Sequence, residues 1–241
     1  MKRLLVVIAW IASYTVSGQS SESMQESFLN SVNESNPLKE FYLTNAGLFL
    51  NGQFHQGHEA ISNELLGYRE DFKKRWEYES LDFVKLRKGE NFELGVYRSG
   101  KTELQSIIGW KEENGWKKEI EIIFESEKIR EDGLSKVDSM RTKWVNLSNS
   151  HDPKGITEQV CSESAIYFNQ GKTWVGAEIS NAYSYMNDQS WSITLESIKT
   201  VQVSDDVILD IGIYRSGGRG LYVLVWGKEP EGWRVLLDFN F

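Results

Sequence analysis

Two strands' worth of residues carry the same chemistry-bearing pattern. In "NFELGVYRSG" the run Glu93, Gly95, Tyr97 falls on alternate positions, and in "VILDIGIYRSG" the run Asp210, Gly212, Tyr214 does the same. Alternation assigns each run to one face of a strand, opposite Phe92, Leu94, Val96 and Arg98 or Leu209, Ile211, Ile213 and Arg215. As a pocket wall, such a row would let the glycine admit a ligand, the tyrosine hydroxyl donate, and the carboxylate accept a hydrogen bond or act as a base. The reading preferred on composition is a solvated outer face, with glycine easing curvature and Ser-Gly making the hairpin turn. A second recurrent acid, Glu121 and Asp238, lies on the last strand of each half, opposite the apolar row Trp233, Val235, Leu237 and Phe239 in the second. It faces water or lines a pocket, and in a pocket burial would raise its pKa and suit proton transfer.

Other chemistry is thinly represented. His55 and His58 are three apart, a spacing compatible with metal ligation, but Gly57 between them predicts a loop and no third ligand is near. Neither a metal site nor a cofactor is expected. No G-x-S-x-G elbow or phosphate loop occurs. The lone Cys161 excludes an internal disulfide and reads as a small buried apolar residue.

These recurrences belong to a larger one. "GVYRSG" begins at Gly95 and "GIYRSG" at Gly212, 117 positions on, and the same offset sets Glu79 against Glu196 and Phe124 against Phe241. Upstream the offset is 118: "LFLNGQ" from Leu48 meets "IYFNQG" from Ile166, and the "ISN" at Ile61 meets the "ISN" at Ile179. Collinear matches over about a hundred residues imply a tandem duplication. A basic start, Lys2 and Arg3, followed by an apolar run from Leu4 to Val16 and small residues Ser17 and Gly18 has the layout of a secretory signal. The expected organisation is therefore a signal peptide over 1–18, a first repeat over 19–128 and a second over 129–241. Cleavage before Gln19 would place the protein in a secreted or periplasmic compartment with no membrane span. The formal net charge of −8, carried without a long basic run, argues against nucleic acid as a partner.

Each repeat starts with helical periodicity. Met24, Phe28 and Val32 follow a capping box at "SMQE", a short helix follows Pro37, and Ile61, Leu65, Tyr68 and Phe72 mark another. The second repeat offers Leu134, Val137, Trp144 and Leu147, a short helix after Pro153, then Ile179, Ala182, Tyr183 and Met186. Four alternating runs close each half: Trp76 to Leu86, Phe92 to Arg98, Leu104 to Trp110 and Trp116 to Phe124, then Ser192 to Val203, Val207 to Arg215, Gly220 to Gly227 and Trp233 to Phe241. Helices followed by a meander define an α+β chain. An outer-membrane barrel ending in Phe241 is disfavoured, because long helical blocks stand where strands would be needed.

"AGLFLNGQFHQGHEAI", "SAIYFNQGKTWVGAEI" and the closing "GLYVLVWGKEPEGWRVLLDFN" carry a resemblance to SnoaL-like domains of the nuclear transport factor 2-like superfamily. The resemblance implies two tandem cone-shaped domains, each a curved antiparallel sheet wrapped around N-terminal helices. It also implies a conical pocket rimmed by His55 or Trp174, and an intramolecular pseudo-dimer of the fused copies. Fold does not fix activity in such a group. Ketosteroid isomerase relatives use an Asp base beside a Tyr and a protonated acid; Tyr97 with Glu121, and Tyr214 with Asp238, supply those residue types without a matched motif. The leading expectation is a secreted, non-catalytic module binding a small apolar or amphipathic ligand through His55, Tyr97, Glu121, Trp174, Tyr214 and Asp238. The alternatives are a proton-transfer enzyme of isomerase, cyclase or hydratase type, and a structural pseudo-dimer whose outer sheet faces recruit a protein. Because Lys118 and Glu119 stand where the second repeat has Val235 and Leu236, the second repeat is the one expected to function if only one does.

Overall fold

A computed structural model of the chain describes residues 20–72, 74–125 and 134–240; the expected signal peptide lies outside them. The first half begins with helix α1 (Ser21–Asn33) and, after a 3-10 turn at Lys39–Phe41, strands β1 (Tyr42–Leu50) and β2 (Gln53–Gln56). Helix α2 (His58–Glu70) leads into β3 (Glu77–Arg87), β4 (Glu90–Ser99), β5 (Thr102–Glu112) and β6 (Trp116–Glu125). The second half repeats the order with α3 (Leu134–Asn149), α4 (Pro153–Gln159), β7 (Cys161–Asn169), β8 (Lys172–Val175), the one-turn α5 (Ile179–Ala182), β9 (Thr194–Ser204), β10 (Val207–Arg215), β11 (Arg219–Glu229) and β12 (Gly232–Asn240).

The result is two α+β domains in tandem, each with one six-stranded sheet, ordered β2-β1-β6-β5-β4-β3 and β8-β7-β12-β11-β10-β9. The four-strand meanders are antiparallel as expected, but the sheets are mixed: β1 runs parallel to β6, and β7 to β12. Those extra strands come from the segments preceding α2 and α5, where "NG" and "QG" turns with positive φ at Asn51, Gly52, Gln170 and Gly171 close short hairpins.

Three local expectations shift. The cap of α1 is Ser20, whose hydroxyl accepts from the Ser23 amide at 3.2 Å, three residues before the predicted box. The segment after Pro37 is a single 3-10 turn rather than a helix. The periodic run from Ile179 to Met186 makes only one α-turn before tightening into a 3-10 stretch, Tyr183–Asn187. That segment, "YSYMN", is poor in strong helix formers.

The central strands of each sheet are buried on both faces. One face packs on its own helices, giving one cluster around Phe28, Tyr42, Leu65 and Trp76 and another around Val137, Trp144, Tyr183 and Trp226. The opposite faces pack on each other: Phe49, Phe92, Leu94, Ile107, Ile122 and Phe124 share one apolar cluster with Phe168, Leu209, Ile211, Val223, Leu237 and Phe239. Phe168 stands at the join, 5.6 Å from the Phe54 ring of the first half and 5.8 Å from Phe239 of the second. Gln56 adds polar contacts across it, donating to the Gly171 carbonyl at 2.9 Å and accepting from the Thr173 hydroxyl at 2.8 Å.

The solvated-face reading of the acid, glycine and tyrosine rows is thereby corrected. Glu93, Tyr97 and Asp210 are buried on the helix-facing side, because the opposite row is occupied by the other sheet. The row on the closing strand is corrected too. Trp110 pairs with Lys118 and Gly109 with Ile120, so Glu119 is an extra residue; Trp226 pairs with Val235 and Val225 with Leu237, so Leu236 is another. Each bulge resets the alternation. Trp233 and Val235 pack inside the cone with Asp238, while Leu237 and Phe239 face the other sheet.

Since one cluster joins both halves, Phe168→Ala should cost about 3–5 kcal/mol and should lower the urea midpoint of both halves together. Separate fluorescence probes in each half would check that the transitions stay coincident.

Candidate functional site

The two cones hold equivalent residues in different states. In the first, the bulge at Glu119 turns Lys118 and Glu121 to the same face although they are three apart on a strand. The Lys118 ammonium donates to Glu121 Oε1 at 2.9 Å and Oε2 at 3.0 Å, and to the Tyr97 hydroxyl at 3.2 Å. Tyr97 donates to Glu121 at 2.6 Å and accepts from Gln25 of α1 at 2.8 Å, and Tyr42 donates to the other Glu121 oxygen. Four rings surround the same ammonium: Nζ lies 3.2 Å from the Phe28 centroid and 5.5, 5.9 and 5.6 Å from those of Tyr42, Tyr97 and Trp110. Lys118, Glu121, Tyr42 and Tyr97 are all fully buried. Burial pulls the Lys118 pKa down to about 8, against the Glu121 carboxylate that holds it up. Tyr78 completes the filling by lying over Gly95, where a β-carbon would come within 2.2 Å of its hydroxyl.

The second cone lacks three of those fillers. Register places Leu195 opposite Tyr214 as Tyr78 is opposite Tyr97, and Val235 replaces Lys118. Cys161 pairs with Val235 where Tyr42 pairs with Lys118. Leu195 lines a cavity of about 290 Å³, while Val235 and Cys161 are buried in the core beside it and do not line it. Its lining includes the rings of Trp144, Tyr167, Tyr185, Trp191, Tyr214 and Tyr222, with Leu195, Leu224 and Asp238. Tyr183, brought in by the 3-10 stretch, donates to Asp238 Oδ2. Desolvation pushes the Asp238 carboxyl up to about 7, against hydrogen bonds from Tyr183 and Asn240 that hold it down. The Trp144 indole nitrogen is buried without a hydrogen-bond partner among the described residues. Behind the rings, Asp210 is paired with Arg141 of α3 at 2.7 Å, and Arg141 also reaches Asp138 at 2.8 Å.

The six sequence candidates therefore divide. Tyr214 and Asp238 line the cavity. Tyr97 and Glu121 come together, but in a filled interior. Trp174 stacks on the cavity residue Tyr167 at 5.4 Å without lining the cavity itself. His55 sits on β2, 3.8 Å from Glu64, and is not among the residues lining this cavity. Sequence reasoning missed Lys118 as a member of the cluster, because strict alternation put it on the face opposite Glu121. It missed Tyr183 and Tyr185 as site residues because they were assigned to an ordinary helix, and Trp144 because its periodicity read as core.

The sequence matches no family model and no curated protein. Among solved structures, an NTF-2 like protein from Shewanella oneidensis is 12% identical, covering 44% of this chain and 96% of its own, at a TM-score of 0.39. A domain with a cystatin-like fold from Nostoc punctiforme is 18% identical, covering 44% and 74%, also at 0.39. An NTF2-like protein with a cystatin-like fold from Novosphingobium aromaticivorans is 18% identical, covering 44% and 79%, at 0.35. Each match spans about the length of one repeat of this two-domain α+β chain.

The raised Asp238 value has a stability consequence. The folded-state pKa, about 7, lies above the ordinary 3.8, so the folded protein binds more protons than the unfolded chain between about pH 4 and 7. Stability from this group falls as pH rises through that window, by up to a few kcal/mol. Asp238→Asn, which keeps an acceptor for Tyr183, should therefore be more stable than the parent at pH 8 and differ little at pH 4, as urea titrations at the two values would show.

Proposed function

We propose that the chain is a secreted, non-catalytic module that binds a small molecule in the second cone, while the first cone is a self-filled partner domain. The observation that carries this reading is the difference in filling: Tyr78 closes the first interior over Gly95, whereas Leu195 at the matching register position lines an open cavity in the second. A concave, mostly aromatic pocket with few polar groups is the usual form of a small-molecule site. Export is proposed from the layout of residues 1–18, and an N-terminal read of the mature protein starting at Gln19 is its check.

A proton-transfer role is the second reading, favoured by a single carboxyl titrating near neutrality against the cavity with a tyrosine donating to it. Partner recruitment through the outer sheet faces has less support, since those faces lie against each other.

Leu195→Tyr copies the ring of the first cone into the second and should close the cavity. Native mass spectrometry of the protein purified from its own source should reveal a bound small molecule in the parent and none in this variant, with circular dichroism unchanged. An adduct retained by the variant would contradict the assignment to this cavity, and so would an empty parent that also fails to bind any member of a small-molecule library.

A further inference from the structure

One repeat displays what the other lacks. In the first cone an ammonium occupies the interior, held by a carboxylate and boxed by four aromatic rings. The second cone keeps most of that box. Trp144 stands on α3 where Phe28 stands on α1, Trp226 pairs with Val235 as Trp110 pairs with Lys118, and Tyr214 and Asp238 stand for Tyr97 and Glu121. Two parts are missing: the ammonium, because Val235 replaces Lys118, and the Tyr42 ring, because Cys161 takes its place; Trp226 is buried behind the cavity and does not line it. Space beside the carboxylate remains open to the cavity.

We infer that the second cone takes an organic cation, a substituted or quaternary amine whose charge faces Asp238 and whose alkyl groups lie against Trp144, Tyr214 and Tyr222. The inference rests on the small-molecule reading of this cavity and deepens it by naming the ligand's chemistry. Aromatic faces attract cations most strongly where water is excluded. The surrounding charge agrees. Arg141, behind the rings, is matched by two carboxylates, Asp210 and Asp138, and Arg234, the other guanidinium on this side, is half-buried and acts on Cys161. Asp188 adds a carboxylate on the outer depression that shares Tyr185 and Trp191 with the cavity, and its hydrogen bonds from Ser190 hold its pKa down.

Binding should also depend on pH. A cation is countered by ionised Asp238, so its affinity should rise as pH increases through about 7. The groups facing Asp238 are Tyr183, Tyr167, Tyr185 and Cys161, all of whose pKa values burial raises, so they stay uncharged over this window. Arg234 acts on Cys161, and Asn240 donates to Asp238 without titrating.

The test is calorimetric titration of the full chain with choline and with its uncharged tert-butyl isostere, which share a shape and differ in charge. Choline should bind at least about tenfold more tightly at pH 8, and that preference should shrink at pH 6 and in Asp238→Asn, while the isostere's affinity stays constant. Equal binding of both, or tighter binding of the neutral compound, would overturn the cation inference while leaving the small-molecule reading intact. Binding of neither at millimolar concentration would overturn the inference as well, and the small-molecule reading then stands or falls on the mass-spectrometric adduct and its loss in Leu195→Tyr.

Discussion

A sheet buried on both faces encloses its carboxylates among apolar side chains, and the contrast between the two domains follows from that constraint. Packing the two sheets against each other fills one face of each with Phe, Leu, Ile and Val. Glu93, Glu121, Asp210 and Asp238 are consequently enclosed within the cones, where desolvation must be offset by hydrogen bonds or opposite charge. The chain meets this need in four ways: Trp110 donates to Glu93, Lys118 with two tyrosines serves Glu121, Arg141 pairs with Asp210, and Tyr183 donates to Asp238. Of these acids, Asp238 has no cationic hydrogen-bond partner among the described residues and also lines a cavity.

The bulges on β6 and β12 decide what each cone contains. One inserted residue places positions three apart on the same side of a strand, which brings Lys118 to Glu121 and Val235 to Asp238. With lysine at that position the cone carries its own counter-ion and closes. With valine the same backbone leaves the acid to Tyr183 and Asn240, without a counter-ion among the described residues. Duplication preserved the backbone programme, and divergence at Tyr78/Leu195 and Lys118/Val235 separated a filled domain from an open one.

Much of the fold was legible without coordinates. The meander strands of both halves fall within a few residues of the alternating runs, since their turns are marked by Gly and Asn, and the 117-residue echo revealed the second domain. The candidate site was only half legible. Asp238 and Tyr214 were found because they recur, but the orientation of their rows was misjudged: alternation tells faces apart without saying that both are buried. The inserted Glu119 and Leu236 leave no mark in composition. Tyr183 and Tyr185 enter the site through a 3-10 stretch that the helical period of "ISNAYSYM" conceals.

The central claim is that the second cone holds a desolvated carboxyl facing an open cavity. An NMR titration of the Asp238 side-chain carbon measures this directly. The account predicts a midpoint near 7, and a midpoint in the ordinary carboxylate range near 4 would contradict it.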